Sequence, residues 1–303
     1  MTSPADWQQL REALMDHGYR ADDALATIAW LSGRLDRPLL CEGPPGVGKT
    51  ALAHALAAVH GGQLFRLQCY EGIDAAQALY DWDFRSQILY LRTLEAAHAA
   101  ETAEAGKLEA QLYSERFLLT RPILAALTAS AEGQRAVLLI DEIDRADDEF
   151  EALLLEVLSE WALSIPELGR IETAQPPLVV ITSNRTREIH DALRRRCLYH
   201  WFDFPDREAE QQILALHVSE ANEALVAATS DYVRAVRHMA LNRPPGTAEA
   251  IDWLRSLLAL GAVDLDAAAA HATLGALIKD AEDAEQVRAH GPIIGGAPPR
   301  RPS

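Results

Sequence analysis

The sequence predicts an α/β fold, a five-stranded parallel sheet between helices followed by a smaller all-helical domain. Three observations predict it. Short apolar runs separated by amphipathic helical stretches imply a parallel sheet covered on both faces. A Gly/Pro-rich loop, GPPGVGKT at residues 43–50, joins the first apolar run to the helix after it. Past Pro205 the apolar runs stop and helical patterns alone continue.

Taken in order, residues 7–35 read as helical, with Leu25, Ile28, Leu31 and Leu35 at three- and four-residue steps. Pro38 opens the run PLLC, the first strand. TALAHALAAVHGG reads as a helix stopped by Gly61 and Gly62, and QLFRLQC as the second strand. Residues 72–116 are less regular, with an alanine-rich segment expected to be helical. AVLLIDEIDRA is a buried strand running into acids, and ADDEFEALLLEVLSEW is an amphipathic helix. WALSIPELGRIETAQPP reads as a hairpin with Gly169 and Arg170 at its turn; PLVVITSN and LYHWFDF supply the last two strands. Beyond Pro205, DREAEQQILALHVSEANEAL, DYVRAVRHMAL and TAEAIDWLRSLLALG are helical, and an alanine-rich helix follows. The expected domains are a core with its N-terminal helix at residues 1–205, a helical lid at 206–288 and a disordered tail at 289–303.

Bulk composition narrows the function. The chain has 303 residues, 49% hydrophobic and 24% charged, as a soluble globular protein with a sizeable core has. Acids number 45 against 28 bases, for a formal charge of -17. That sign repels phosphate backbones and anionic membranes at long range, so bulk nucleic-acid binding is not expected. Cys41, Cys69 and Cys197 are widely spaced with no metal-type pairing, which suits reduced thiols in a cytosol. The N-terminus lacks a signal-peptide pattern and no apolar run is long enough to cross a bilayer, so the expected location is the cytoplasm.

GPPGVGKT fits G-x-x-x-x-G-K-[ST] in the setting the motif needs, a strand before it and a helix after it. Gly43, Gly46 and Gly48 let the loop that also holds Pro44, Pro45, Val47 and Ala51 curl so that its N–H groups point inward at phosphate oxygens. (The two prolines shape the loop and donate nothing.) Lys49 is placed for the β- and γ-phosphates and the Thr50 hydroxyl for magnesium. The candidate ligands are ATP and Mg2+. In VLLIDEID a buried strand delivers Asp141 as a second magnesium-side residue, acting through water, and Glu142 as a general base for an attacking water. Asp144 reads as a helix-entry or salt-bridging residue. Asn184, at the end of PLVVITSN, is a candidate to orient the same water; asparagine at a strand end is otherwise a turn former.

The order of these features, with Walker A GPPGVGKT, Walker B LLIDEID, the sensor-1-like ITSN, an arginine run and a helical lid, resembles an AAA+ ATPase over roughly residues 20–285. EGPPGVGKTALAHALA, RLQCYEGID, LIDEIDRADDEFEALLLEVLSE and LRRRCLYHWFDFP look like the MoxR branch. They look closest to the subgroup associated with maturation of carbon monoxide dehydrogenase-type molybdoenzymes. The resemblance implies a P-loop NTPase core, a homo-oligomeric ring, hexameric by family expectation, and an arginine reaching the neighbour's nucleotide. DALRRRC holds that place, with Arg195 as the favoured finger, Arg194 as runner-up and Arg196 as a partner for acids of its own subunit. A solvated cationic helix end is the plain alternative. The lid helix start lacks a sensor-2 arginine, leaving Arg243 upstream as the candidate contact to the γ-phosphate. Gln68 stands where some AAA+ proteins restrain the Walker B glutamate; a core-edge glutamine is the alternative. EGIDAAQALYDWDF is a candidate insertion whose Tyr70, Tyr80, Trp82 and Phe84 either face a partner or pack locally.

The resemblance further implies an ATP-driven remodelling chaperone, with a von Willebrand factor A-type partner and a client metalloenzyme. The competing reading is an AAA+ nucleic-acid motor or clamp-loader-like ATPase, which needs a basic track that the overall acidity disfavours. A P-loop kinase and a non-catalytic nucleotide switch fit less well, because the Asp141–Glu142 pair suits water attack.

Overall fold

The computed structural model describes residues 4–96, 105–166 and 168–292. Its strands are β1 (Leu39–Glu42), β2 (Gln63–Gln68), β3 (Tyr80–Trp82), β4 (Leu118–Thr120), β5 (Ala136–Asp141), β6 (Ala162–Ile165), β7 (Gly169–Glu172), β8 (Leu178–Ser183) and β9 (Leu198–Trp201). Five of them form one sheet in the order β2-β5-β8-β1-β9, with every neighbouring pair parallel. These are the five runs expected from the sequence.

Side chains alternate across this sheet, as a pleated strand requires. Leu40, Leu138, Ile140, Val179 and Ile181 pack into one apolar cluster with the helices Pro122–Ala131 and Asp148–Glu160. Leu39, Cys41, Val137, Leu139 and Val180 pack into another with the helices Trp7–Asp16, Asp23–Leu35 and Lys49–His60. Each fully buried Leu, Ile or Val contributes about 1.5–3 kcal/mol relative to exposure, so the continuous apolar runs are what hold the strands at the centre. β2 differs. It pairs only with β5 among the described residues and leaves Arg66 and Gln68 exposed, with Gln68 in register with Asp141.

Several elements depart from the sequence-based expectation. Residues 7–35 form two helices, because Gly18 turns with φ 78° and the Asp22 carboxylate caps the second helix by accepting from Leu25 N–H. Residues 122–131 form a helix with Pro122 in its first turn, where the missing N–H costs nothing. The expected hairpin is β6 with β7, but Gly169 pairs with Ile165 and Arg170 with Ser164, so both lie in a strand and the turn falls before them. Within residues 72–116 a short helix, Ala75–Ala78, leads to β3, which pairs antiparallel with β4. The helices Phe84–Ala96 and Ala105–Leu112 follow β3; residues 97–104 of the alanine-rich segment lie outside the described residues. Trp82 is buried and Tyr80 packs on the core, whereas Tyr70 and Phe84 are exposed.

After Pro205 the chain forms the helices Arg207–His217, Glu223–Arg237, Thr247–Ala259, Ala267–Leu277 and Ala281–His290. The run at residues 206–225 therefore breaks after His217, and Asn222 caps the next helix. These helices enclose a third cluster around Trp253, whose Nε1–H donates to Thr273 Oγ1 at 2.8 Å. The last helix ends inside the stretch expected to be disordered, and residues 293–303 lie outside the described residues. No described helix is long and apolar enough to cross a membrane. All three cysteines are free and buried; burial pushes the Cys69 and Cys197 thiols up to about 12, which keeps them unreactive at neutral pH.

Candidate nucleotide site

The C-terminal ends of β1, β5 and β8 converge on a cavity of about 420 Å³. The loop after β1 forms one wall. Gly43, Gly46 and Gly48 take φ values of 153°, 75° and 97°, in the left-handed region where a side chain is strained. Gly43 has a second constraint, since a Cβ there would lie 2.2 Å from the Phe202 carbonyl oxygen. Gly48 ends the loop as the N-cap of Lys49–His60 without a capping side chain. The first N–H groups of that helix are thus left without a side-chain partner, an anion-receptive end.

Lys49 is buried, and its ammonium donates to the Gly43 and Pro44 carbonyls at 2.7 and 2.6 Å. Burial pulls its pKa below the usual lysine range; nearby acids, Asp144 foremost, act in the opposite direction. The loop residues Pro45, Gly46, Val47, Gly48, Lys49, Thr50 and Ala51 all line the cavity, and Gly43 and Pro44 do not.

The acids meet the loop directly. Thr50 Oγ1 donates to Asp141 Oδ1 at 3.0 Å, and Thr182 Oγ1 donates to the same oxygen at 2.6 Å. Glu142 has φ 56°, an uncommon conformation for a residue with a side chain, and its N–H donates to Thr182 Oγ1 at 2.9 Å. Glu142 and Asn184 both line the cavity. Asp144 is buried and accepts from Asn184 N–H at 3.2 Å and Thr186 N–H at 2.9 Å. It therefore ties the loop after β5 to the loop after β8, a larger part than a helix-entry residue. Gln68 Nε2 donates to Glu142 Oε2 at 3.0 Å. A hydroxyl and a carboxylate already in contact are hard oxygen donors, and they fit a magnesium ion that keeps water and phosphate in its remaining positions.

The opposite wall comes from elsewhere in the chain. Gly18, Tyr19 and Arg20, in the turn between the first two helices, line the cavity with Ile213, His217, Thr247, Ala248 and Ile251. The Tyr19 hydroxyl donates to the Gly48 carbonyl at 3.3 Å. The helix Thr247–Ala259 abuts the glycine loop: Thr247 N–H and Ala248 N–H both donate to Gly46 O, at 2.9 and 3.1 Å. None of these residues carries a recognised motif, and sequence reasoning missed them. The one available signal was TAEA opening a helix.

The three arginines separate. Arg194 pairs with the buried Glu42 at the end of β1, at 2.7 Å, so it is Arg194 that binds an acid of its own subunit where Arg196 was expected to. Arg195 and Arg196 are exposed, and their side chains make no hydrogen bond or ion pair among the described residues. Arg37 fixes the end of their helix by donating to the Arg195 and Arg196 carbonyls at 2.7 and 2.9 Å. Arg243 is exposed and does not line the cavity; its N–H donates to Asp283 at 2.8 Å.

A family model described as AAA domain (dynein-related subfamily) matches residues 38–197. Among solved structures, a proline-to-glycine point mutant of Thermotoga maritima RuvB aligns with TM-score 0.51 at 16% identity, over 96% of this chain and 83% of that one. An alanine-to-serine mutant of the same RuvB gives TM-score 0.50 at 16% identity, over 96% and 82%. No curated protein matches the chain. At such identities the likeness to RuvB is one of fold.

Proposed function

The chain belongs to the AAA domain family, dynein-related subfamily, and is an ATPase; from that premise we propose that it is a ring-forming remodelling chaperone of MoxR type. The observation that carries the catalytic part is the meeting of glycine loop, Asp141, Glu142 and Asn184 in one cavity. ATP lies with its phosphates on the loop and Lys49. Thr50 and Asp141 hold magnesium, which neutralises charge on the phosphates. Glu142 takes a proton from the attacking water, and Asn184 orients that water. Gln68 holds Glu142 aside until the site is complete.

Arg194 is committed to Glu42, which leaves Arg195 and Arg196 free among the described residues; Arg195, the finger that the family resemblance favours, completes the neighbouring subunit's site, and a hexameric ring is the assembly that supplies it. Movement of the helical lid about Pro205 transmits hydrolysis to a client. The MoxR-like runs at residues 42–57, 66–74, 139–160 and 193–205 point to a von Willebrand factor A-type partner and a client metalloenzyme awaiting maturation.

Two inactive variants test the shared site. Arg195→Ala and Glu142→Gln each lose about a hundredfold or more in turnover while still binding ATP. Mixed together, they form some interfaces with an intact Glu142 from one subunit and an intact Arg195 from the next. Turnover therefore reappears in the mixture. A mixture as inactive as its components rules out the trans arginine.

A further inference from the structure

The acids of the site are bridged by a residue that no catalytic step has used. Arg66, on β2, makes a two-pronged contact with Asp141 Oδ2, from Nε at 3.1 Å and Nη2 at 2.7 Å. The same Nη2 donates its other hydrogen to Gln68 Oε1 at 2.6 Å. Gln68 then donates from Nε2 to Glu142. A side-chain amide can face either way round, and the cation on its oxygen settles which end meets the carboxylate. One guanidinium thus occupies the outer oxygen of the magnesium-side acid and sets the amide that restrains the base. The Asp141 side chain is 4% exposed and Arg66 is 50% exposed, so the acid is fixed while the arginine has room to leave.

We propose that Arg66 is a positioning residue that competes with the divalent cation for Asp141 and, by letting go, releases Gln68 from Glu142. The proposal rests on the ATPase reading of this cavity. Its electrostatic logic is simple. While Arg66 sits on Asp141, the carboxylate is neutralised and offers a metal-bound water only the oxygen already shared by Thr50 and Thr182. A second cation drawn to the site must displace the first. Once displaced, Arg66 no longer orients Gln68, and Glu142 Oε2 keeps only its largely exposed ion pair with Arg145 at 3.2 Å, so the amide restraint on the base is lifted only in a site that already holds its metal. Premature water activation is suppressed.

The test is a magnesium titration of fluorescent ATP analogue binding, with full-length wild type, Arg66→Met, Arg66→Lys and Gln68→Ala. Arg66→Met keeps the apolar stem and removes the competing charge. It lowers the magnesium midpoint about threefold, the scale of a half-exposed ion pair, and leaves binding in EDTA unchanged. Arg66→Lys keeps a charge without the fork and shifts the midpoint less. Gln68→Ala removes a neutral partner that helps hold the guanidinium on Asp141, and lowers the midpoint less than Arg66→Met does. Single-turnover hydrolysis at magnesium below the wild-type midpoint then closes a double-mutant cycle: removing Gln68 raises the rate in the wild-type background and does nothing in Arg66→Met. A midpoint that stays put or rises in Arg66→Met overturns the competition, and an additive cycle overturns the link through Gln68. Wild-type protein that binds no analogue at any magnesium concentration overturns instead the reading of the cavity itself.

Discussion

The two walls of the nucleotide cavity are built under different constraints. On the phosphate wall the chemistry dictates residue type. A backbone that must curl around phosphate oxygens takes φ near 75° and 97°, as Gly46 and Gly48 do, and a metal needs hard oxygens, which Thr50 and Asp141 provide. On the opposite wall the requirement is shape. Gly18, Tyr19, Ile213 and Ile251 supply surface, and Thr247 and Ala248 supply backbone N–H groups that any residue but proline carries. The first wall is therefore strict in sequence and the second permissive, although the same cavity needs both.

Substitution at Lys49 gives the largest expected effect and tests the strict wall. Lys49→Ala removes the buried ammonium that the Gly43 and Pro44 carbonyls hold in place. ATP affinity measured by calorimetry is expected to fall by about a hundredfold or more, given that a buried charge-assisted contact is worth several kcal/mol. Affinity that survives within about threefold would mean that the motif is not what binds phosphate.

How much was legible follows the same division. Strands β1, β5 and β8 could be read because each is a nearly continuous apolar run, β2 and β9 from shorter apolar stretches mixed with polar residues, and the gathering of the loop, Lys49, Thr50, Asp141, Glu142 and Asn184 at one cavity because each residue type carries a fixed chemical demand. The break at Gly18 was hidden, since apolar periodicity resumes after it in phase with a helix. The helix Pro122–Ala131 was hidden too, its high alanine and leucine content giving no amphipathic stripe to read. Arg194 and Arg196 could not be told apart, because near-adjacent identical residues on one short helix differ only in what lies beside them. Here Glu42 lies beside Arg194.

Gly246 offers a middle-sized test of the permissive wall. A Cβ there would lie 2.8 Å from Gly46 Cα and 2.8 Å from the Pro45 carbonyl oxygen. Its φ is -78°, which any residue adopts, so Gly246→Ala acts through contact and not through backbone strain. Overpacking of this kind costs about 1–3 kcal/mol. It should push the helix Thr247–Ala259 off the glycine loop and weaken the two bonds to Gly46 O. ATP affinity is expected to fall about tenfold, with the thermal unfolding of the protein lowered by a few degrees. An unchanged affinity would show that the helix start merely rests on the loop, leaving only the strict wall to bind nucleotide.

The smallest expected effect lies in pH, and it too separates the walls. His217, on the permissive wall, has its pKa pulled down by burial and by Arg255. His60 is lowered by burial and by Arg135, and His200 by burial against an opposing pull from Asp22. Each lowered histidine is harder to protonate folded than unfolded. Above pH about 6.5 both states are neutral and the groups cost nothing. As pH falls below that value the unfolded chain takes up protons first, so stability drops until the folded-state values are passed. Urea unfolding at pH 7.5 and 5.5 should show the loss, of about 1 kcal/mol in all for partly exposed groups. His217→Gln should remove part of it. A pH dependence indifferent to that change would place the titration elsewhere and detach His217 from the cavity's energetics.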